Sequence, residues 1–221
     1  MALEETPFQR AAYRWAALVY AGSVASALFL VFQTSGVAGL GKLWGSATLS
    51  LLIVGKFIVF AGLHEDSFSP WALALMVWFL DLFFAFLLAS GLPTLERAPR
   101  IGAWLSRMRA KALEILERYP GLKRMAFWGV AAYVFLPLAG TGAITGSFAA
   151  RIVGLSRPEG VLAIAIGSAG TAFSFAALAV VLGESAEELV QSPILPGSLI
   201  LALLVVARVA YVRLLAKLRE E

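Results

Sequence analysis

Long stretches without any charged residue dominate this sequence and limit what the chain can fold into. Residues 15–41, 125–150 and 161–183 contain no Asp, Glu, Lys or Arg. Each stretch reaches the roughly 20 apolar residues that a helix needs to cross about 30 Å of hydrocarbon. A soluble protein with several buried helices would need a polar face on each helix, and these stretches show none. We therefore expect an all-α integral membrane protein.

The composition supports a membrane location and excludes other classes. The 221 residues are 60% hydrophobic and only 14% charged, which is too little charge for the surface of a soluble domain. The net charge of +4 comes from Lys and Arg residues that interleave with the apolar stretches, so we expect no nucleic-acid partner. Glu4, Glu5 and the long first apolar run argue against a cleavable signal peptide, and the absence of cysteine excludes disulfides.

The apolar pattern predicts six segments. They cover about 11–32, 46–63, 71–90, 125–150 and 156–183, and a last one starts near Pro193 or Pro196. The fourth is interrupted at its centre by residues 136–146, where a proline and three glycines disfavour a continuous helix. The fifth has a clear start, because Ser156 and Glu159 form a capping-box pattern and Pro158 suits the first turn.

Residues 93–124 differ from the rest, because they carry eight of the eighteen Lys and Arg residues. Apolar residues recur there at spacings of three and four: Ile101, Trp104, Leu105, Met108, Ala112, Ile115, Leu116 and Tyr119. This pattern predicts a basic amphipathic helix on the cytoplasmic membrane surface. A helix packed in a soluble lobe is the alternative, but little sequence remains to build such a lobe.

The distribution of positive charge predicts which side each loop occupies. Residues 93–124 and the C-terminal tail are rich in Lys and Arg, which indicates the cytoplasm, as do Arg10 and Arg14 for the N-terminus. The acidic loops 64–70 and 184–192 lack Lys and Arg and are expected outside. These assignments require that residues 36–63 and 125–150 each enter and leave the membrane on one side.

The expected architecture is a single membrane domain with four crossing helices, two oppositely oriented re-entrant helical hairpins and a cytoplasmic amphipathic helix. A first repeat spans 1–92 with a hairpin at about 36–63, and a second spans 125–221 with a hairpin at about 125–150. Residues 93–124 join them. A weak internal similarity supports an inverted repeat. Gly-Leu at 62–63 is followed after a short loop by Ala-Leu-Ala-Leu at 72–75, and Gly-Leu at 154–155 is followed after a short loop by Leu-Ala-Ile-Ala at 162–165.

Lys56 and Asp81 are charges within apolar segments. Each would cost about 2.5–3.5 kcal/mol at the centre of an isolated helix, so both should face protein or water. We expect them to lie close together, where they could exchange a proton or hold a charged group. A fixed ion pair that locks the hairpin, or a Lys56 that reaches the outer interface, is an equally good interpretation.

The helix break supplies a second candidate site, formed by Pro137, Gly140, Thr141, Gly142, Thr145 and Gly146. Glycines expose backbone groups, threonines add hydroxyls, and half-helix N-termini favour an anionic group. Close helix packing is the alternative, because Gly142 and Gly146 have a GxxxG spacing. Arg151 follows directly and could close the site over an anionic head group or act as an interfacial anchor.

Motifs for catalysis or cofactor binding are missing from the sequence. It has no cysteine cluster, HExxH, GxSxG or P-loop, and His64 beside Glu65 and Asp66 is weak support for a metal. We expect no enzymatic activity, no cofactor and no metal.

Residues 136–146 (Leu-Pro-Leu-Ala-Gly-Thr-Gly-Ala-Ile-Thr-Gly), followed by Gly-Leu at 154–155, resemble the hairpin of the putative small multi-drug export proteins, a family related to the DedA (VTT) membrane proteins. The resemblance runs from about Gly55 to Glu184 and implies a transporter with two inverted re-entrant hairpins. DedA relatives are linked to proton-dependent movement of lipid carriers and to cation resistance. Their first hairpin usually carries acidic residues and a proline, but residues 46–63 have neither, so those carboxylates are not carried over.

We interpret the chain as a transporter of a prokaryotic cytoplasmic membrane, with both termini in the cytoplasm, that moves a lipid-linked or small charged substrate. Membrane lipids are its expected partners, and a homo-oligomer is compatible with the sequence. A polyprenyl-phosphate or phospholipid head group would suit Arg151 and the hairpin amides, whereas a small cation would suit Asp81. The alternative is a non-transporting scaffold or assembly protein with a dry, tightly packed hairpin junction.

Overall fold

The computed structural model describes residues 6–51, 55–64, 66–95, 97–118, 120–136 and 142–183, and these form helices joined by short loops. The helices are α1 (Pro7–Leu49), a 3₁₀ helix (Gly55–Leu63), α2 (Pro70–Leu95), α3 (Pro99–Arg118), α4 (Pro120–Phe135), α5 (Ala143–Ile152) and α6 (Arg157–Leu182). Three of them, α1, α2 and α6, are long and apolar enough to cross a membrane. The helical membrane class is thus confirmed, while the sixth expected segment lies outside the described residues.

The first helix runs from Pro7 to a kink at Gly36, close to the expected end near residue 32, and a second helical part follows as far as Leu49. Gly36 interrupts it with a φ of 61°, a backbone conformation that glycine adopts without a steric penalty. The helix therefore has two parts, and the second part covers the glycine-rich stretch. The expected segment 46–63 is not one helix, since α1 ends within it and the 3₁₀ helix follows.

The second part of α1 lies beside the 3₁₀ helix and runs in the opposite direction. The Lys42 Nζ, early in this part, donates to the Asp66 carbonyl oxygen just after the 3₁₀ helix, at 3.0 Å. Leu43 and Ala47 pack against the cluster that contains Ile58 and Val59. The chain thus folds back on itself within residues 37–66.

Helices α2 and α6 form the centre of the molecule, and each has 26 residues. Residues 73–77 of α2 share a buried cluster with residues 172–176 of α6. Residues 82–85 of α2 share a second one with residues 161–164 of α6. The two helices therefore run antiparallel and cross near their midpoints.

Helix α1 packs on α2 through two tyrosine hydroxyls. Tyr13 donates to the Phe86 carbonyl oxygen at 2.9 Å, and Tyr20 donates to the Phe79 carbonyl oxygen at 2.8 Å. Since the residue numbers rise on one helix as they fall on the other, the pair is antiparallel. Tyrosine hydroxyls commonly pair with a backbone carbonyl in this way when they leave water.

Helix α4 runs parallel to α6, and α5 runs back between them. The backbone of α4 approaches α6 so closely that a Cβ at Gly167 would lie 2.3 Å from the Ala131 carbonyl oxygen. Ala150, near the end of α5, shares a cluster with Ala131. The chain therefore reverses between α4 and α5, within the break that the sequence predicted.

Two local predictions are confirmed. Helix α3 (Pro99–Arg118) matches the expected helix, and Leu105 of its apolar stripe is buried. At the start of α6, the Glu159 carboxylate accepts a bond from the Ser156 backbone N–H at 2.8 Å, which completes the capping box.

The close approach of α4 and α6 can be tested at Gly167. Replacement by alanine is expected to lower stability by about 1–3 kcal/mol, because the added methyl group overpacks the contact with Ala131. Gly129→Ala on α4 is the matched control, since none of the described residues lies within 4 Å of its added Cβ. Alanine should leave that position unchanged or more stable by about 1 kcal/mol. Thermal unfolding in one detergent measures both, and equal melting temperatures would contradict the close packing.

Candidate functional site

The two charges from the apolar segments lie next to each other. Lys56 is at the start of the 3₁₀ helix and Asp81 is at the middle of α2. The distance from Lys56 Nζ to Asp81 Oδ2 is 3.6 Å, and the side chains are only 10% and 16% exposed. The structure thus brings together the two residues that the sequence predicted to be neighbours, and it buries most of both side chains.

The Lys56 ammonium is closer to a backbone oxygen than to the carboxylate. It donates to the Val134 carbonyl oxygen at 2.7 Å and to the Thr171 hydroxyl at 3.4 Å. Val134 lies in the last turn of α4, where carbonyl groups lack a partner within the helix and carry the negative end of the helix dipole. An ammonium has three N–H donors, and here it meets three oxygens from three helices.

Two hydroxyls of α6 hold this arrangement in place. Ser168 donates a short hydrogen bond to Asp81 Oδ2, the oxygen that faces Lys56. Thr171 donates to the Phe135 carbonyl oxygen at 2.6 Å, which leaves its lone pairs for Lys56. Both residues lie on one face of α6, three positions apart.

Ser168 and Thr171 were not predicted as site residues. The available signal was a pair of hydroxyl side chains, three residues apart, at the centre of the uncharged stretch 161–183. The carbonyl groups of Val134 and Phe135 could not be found from side-chain identity, because their role follows from the helix ending there.

The helix break contributes one of its predicted residues to the charged pair. Gly142 precedes α5, and a Cβ there would lie 3.8 Å from Asp81 Oδ1. Thr145 donates to the Gly142 carbonyl oxygen at 3.3 Å. Gly146 instead serves close packing, because a Cβ there would lie 2.5 Å from Val134 Cγ2. The predicted residues Pro137, Gly140 and Thr141 lie outside the described residues.

Arg151 is not part of this group. It lies in the last turn of α5, about 13 Å from Gly142 along the helix axis at 1.5 Å per residue. There it lines a small recess with Ser156 and Arg157, between α5, α6 and the end of α2. The structure therefore separates Arg151 from Lys56 and Asp81.

One comparison with known proteins gives a match. A family model described as "Putative small multi-drug export protein" matches residues 58–173, which is more than half of the chain. The match includes Asp81, Gly142, Ser168 and Thr171, and Lys56 lies two residues before it. No curated protein and no solved structure matches the chain.

The energetic coupling between Lys56 and Asp81 can be measured with a double-mutant cycle. Lys56→Met and Asp81→Asn each leave one buried charge without its partner, which costs about 3–5 kcal/mol. The double variant lacks both charges, so its loss should be smaller than the sum of the single losses by about 1–3 kcal/mol. Thermal unfolding of the four proteins in one detergent gives these values.

Lys42→Met and Asp66→Asn form the matched control cycle. Their hydrogen bond uses the backbone carbonyl of Asp66, so the two losses should add to within about 0.5 kcal/mol. Additive losses for Lys56 and Asp81 would show that the pair contributes no interaction energy.

Proposed function

This chain belongs to the family of putative small multi-drug export proteins, and from that membership we propose that it is a membrane transporter whose substrate passes Lys56 and Asp81. The observation that carries the proposal is the buried charge pair beside the end of α4 and the start of α5. Charges at membrane depth are expensive and typically mark a substrate or ion path. Broken helices that expose backbone groups at this depth are typical of transporter binding sites.

The proposed topology has two re-entrant hairpins, formed by residues 36–63 and 125–150. For the first hairpin, the hydrogen bond from Lys42 to the Asp66 carbonyl oxygen joins the two ends of the hairpin. This contact supports a segment that enters and leaves the membrane on the same side. For the second, the cluster that Val130 and Ala131 of α4 share with Ala150 of α5 and Ala163 of α6 supports a start of α4 and an end of α5 at the same end of α6. The hairpin tips then meet where Lys56 Nζ contacts the Val134 carbonyl oxygen.

An inverted repeat is part of the same proposal, and the α2–α6 crossing supports it. Asp81 comes eleven residues after the first residue of α2, and Ser168 comes eleven residues after the first residue of α6. These equivalent residues contact each other. Trp78 Nε1 likewise donates to the Ala165 carbonyl oxygen across the same separation of 87 residues. Contacts between positions of equal rank are compatible with a twofold axis between the two helices.

A small cation suits this site better than an anionic head group does. Carbonyl, hydroxyl and carboxylate oxygens surround the charged centre, while Arg151 lies apart from it. A polyprenyl-phosphate or phospholipid head group would have to use Arg151 and the amides of the helix break. We place the protein in a prokaryotic cytoplasmic membrane with both termini inside, and we propose coupling to protons through Lys56 and Asp81. The relation to DedA proteins belongs to this proposal.

A non-transporting scaffold is the second candidate. It draws on α3, where Trp104 and Met108 are exposed on a basic helix and could hold a partner. Such a protein would not need a charge pair at the centre of its membrane helices.

Transport can be tested with Asp81→Asn. Proteoliposomes with the wild-type protein should release trapped methylammonium, at an acidic pH that keeps the amine charged, while equal amounts of folded Asp81→Asn should release it at the rate of empty liposomes. Asp66→Asn, in the loop before α2, is the matched control and should behave as wild type. A labelled phospholipid, followed from leaflet to leaflet, is the second probe. Full activity of Asp81→Asn would exclude the proposed path, and no movement of either probe by wild type would favour the scaffold.

Single cysteines can test the topology, because the natural chain has none. Cysteines at Ser35 and Ser67 should both react with a membrane-impermeant maleimide from outside intact cells. Cysteines at Met125 and Leu155 should both react only after permeabilisation. If the two positions of either pair react from opposite sides, that hairpin crosses the membrane and the re-entrant topology is wrong.

A further inference from the structure

The oxygens around the Lys56 ammonium form a cage of the kind that binds a cation. The Val134 carbonyl, the Thr171 hydroxyl and the Asp81 carboxylate lie 2.7, 3.4 and 3.6 Å from Nζ. The shortest contact is to a backbone carbonyl, so the ammonium is not held by its carboxylate alone. Backbone carbonyls at the ends of broken helices coordinate cations in other membrane transporters.

The cage is held by groups other than Lys56. Ser168 donates to Asp81 Oδ2, and Thr171 donates to the Phe135 carbonyl oxygen. The free carbonyl groups at the end of α4 carry a partial negative charge of roughly half a unit, which acts on the site together with the charge of the Asp81 carboxylate. The cage should therefore keep its shape and its affinity for positive charge when the lysine is replaced.

Lys56 and the helix break reach Asp81 from different sides. Lys56 and Ser168 both contact Oδ2, whereas the other carboxylate oxygen, Oδ1, faces Gly142. Glycine leaves the space beside Oδ1 free of a side chain at that position. Oδ1 therefore faces the start of α5, while Lys56 approaches the carboxylate from the 3₁₀ helix.

Building on the proposed transport function, we infer that this cage is the substrate site for a small organic cation with N–H donors, such as a primary ammonium, and that the substrate takes the place of the Lys56 ammonium. A second positive charge beside one carboxylate would be left without a partner, which is strongly unfavourable in a buried site. Lys56 therefore gives up one proton to water and becomes a neutral amine as the substrate binds. The charge of the site is unchanged, so the exchange of one cation for one proton is electroneutral.

The groups that face Lys56 are consistent with this exchange. In the described part of the chain, Asp81 on α2 is the titratable side chain within ion-pair distance of Lys56. From α4 and α6 the ammonium meets a carbonyl and a hydroxyl, which do not titrate near neutral pH.

Proton release by the purified full-length protein in detergent tests the inference. Methylammonium added in weak buffer should release about one proton for each cation bound, as linkage requires. Lys56→Met should bind methylammonium more tightly than wild type without releasing a proton, because no lysine competes. Lys56→Arg should lose binding, because a guanidinium keeps its proton. Lys42→Met is the control and should match wild type.

Ligand-induced stabilisation keeps the test valid if Lys56→Met is less stable. Methylammonium should raise its melting temperature, since a ligand that binds only the folded state stabilises it. Tetramethylammonium, which has no N–H donor, and sodium should not. Binding without proton release by wild type, or the same thermal shift with sodium, would overturn the inference. Proton release on binding together with failed transport in liposomes would instead reject the proposed function and leave the cation site intact.

Discussion

The cost of a charge inside the hydrocarbon governs the design of this molecule. Lys56 and Asp81 would each cost about 2.5–3.5 kcal/mol at the centre of an isolated helix. Four helices share the task of holding them: the 3₁₀ helix and α2 supply the charges, while α4 and α6 supply a carbonyl and two hydroxyls. These oxygens come from α2, α4 and α6. The end of α4 must therefore lie beside the middle of α2 and of α6 for all of them to reach the Lys56 ammonium.

Small residues make that meeting possible. Gly167 lets α6 reach the backbone of α4, and Gly146 lets α5 reach the side chain of Val134. These contacts place the end of α4 against the middle of α6, where its last carbonyls accept from Lys56 and Thr171. Close packing and the polar site are thus two results of one arrangement, as is expected where irregular backbone must be shielded from lipid.

The sequence predicted the parts of the site that depend on charge and on strong local signals. An unpartnered charge in lipid is so unfavourable that Lys56 and Asp81 could be expected to meet, and the capping box of Ser156 marked the start of α6. Sequence reasoning failed where tertiary packing decides the outcome. It did not predict that a second helical part follows the break at Gly36, and it missed Thr171, whose hydroxyl gains a role only because α4 ends beside it.

The interpretation of the charge pair as a lock and its interpretation as a binding site lead to one mechanism. The Lys56 ammonium connects the 3₁₀ helix to α4, α2 and α6, so it joins the first helix break to the second. A substrate that takes over its oxygens also removes this connection. Since a ligand can shift a conformational equilibrium only through different interactions in the two states, loss of the lysine contacts on binding supplies that difference. Under the proposed transport function, occupation of the cage would free the 3₁₀ helix from α2, α4 and α6, and a change of this kind is what alternating access requires.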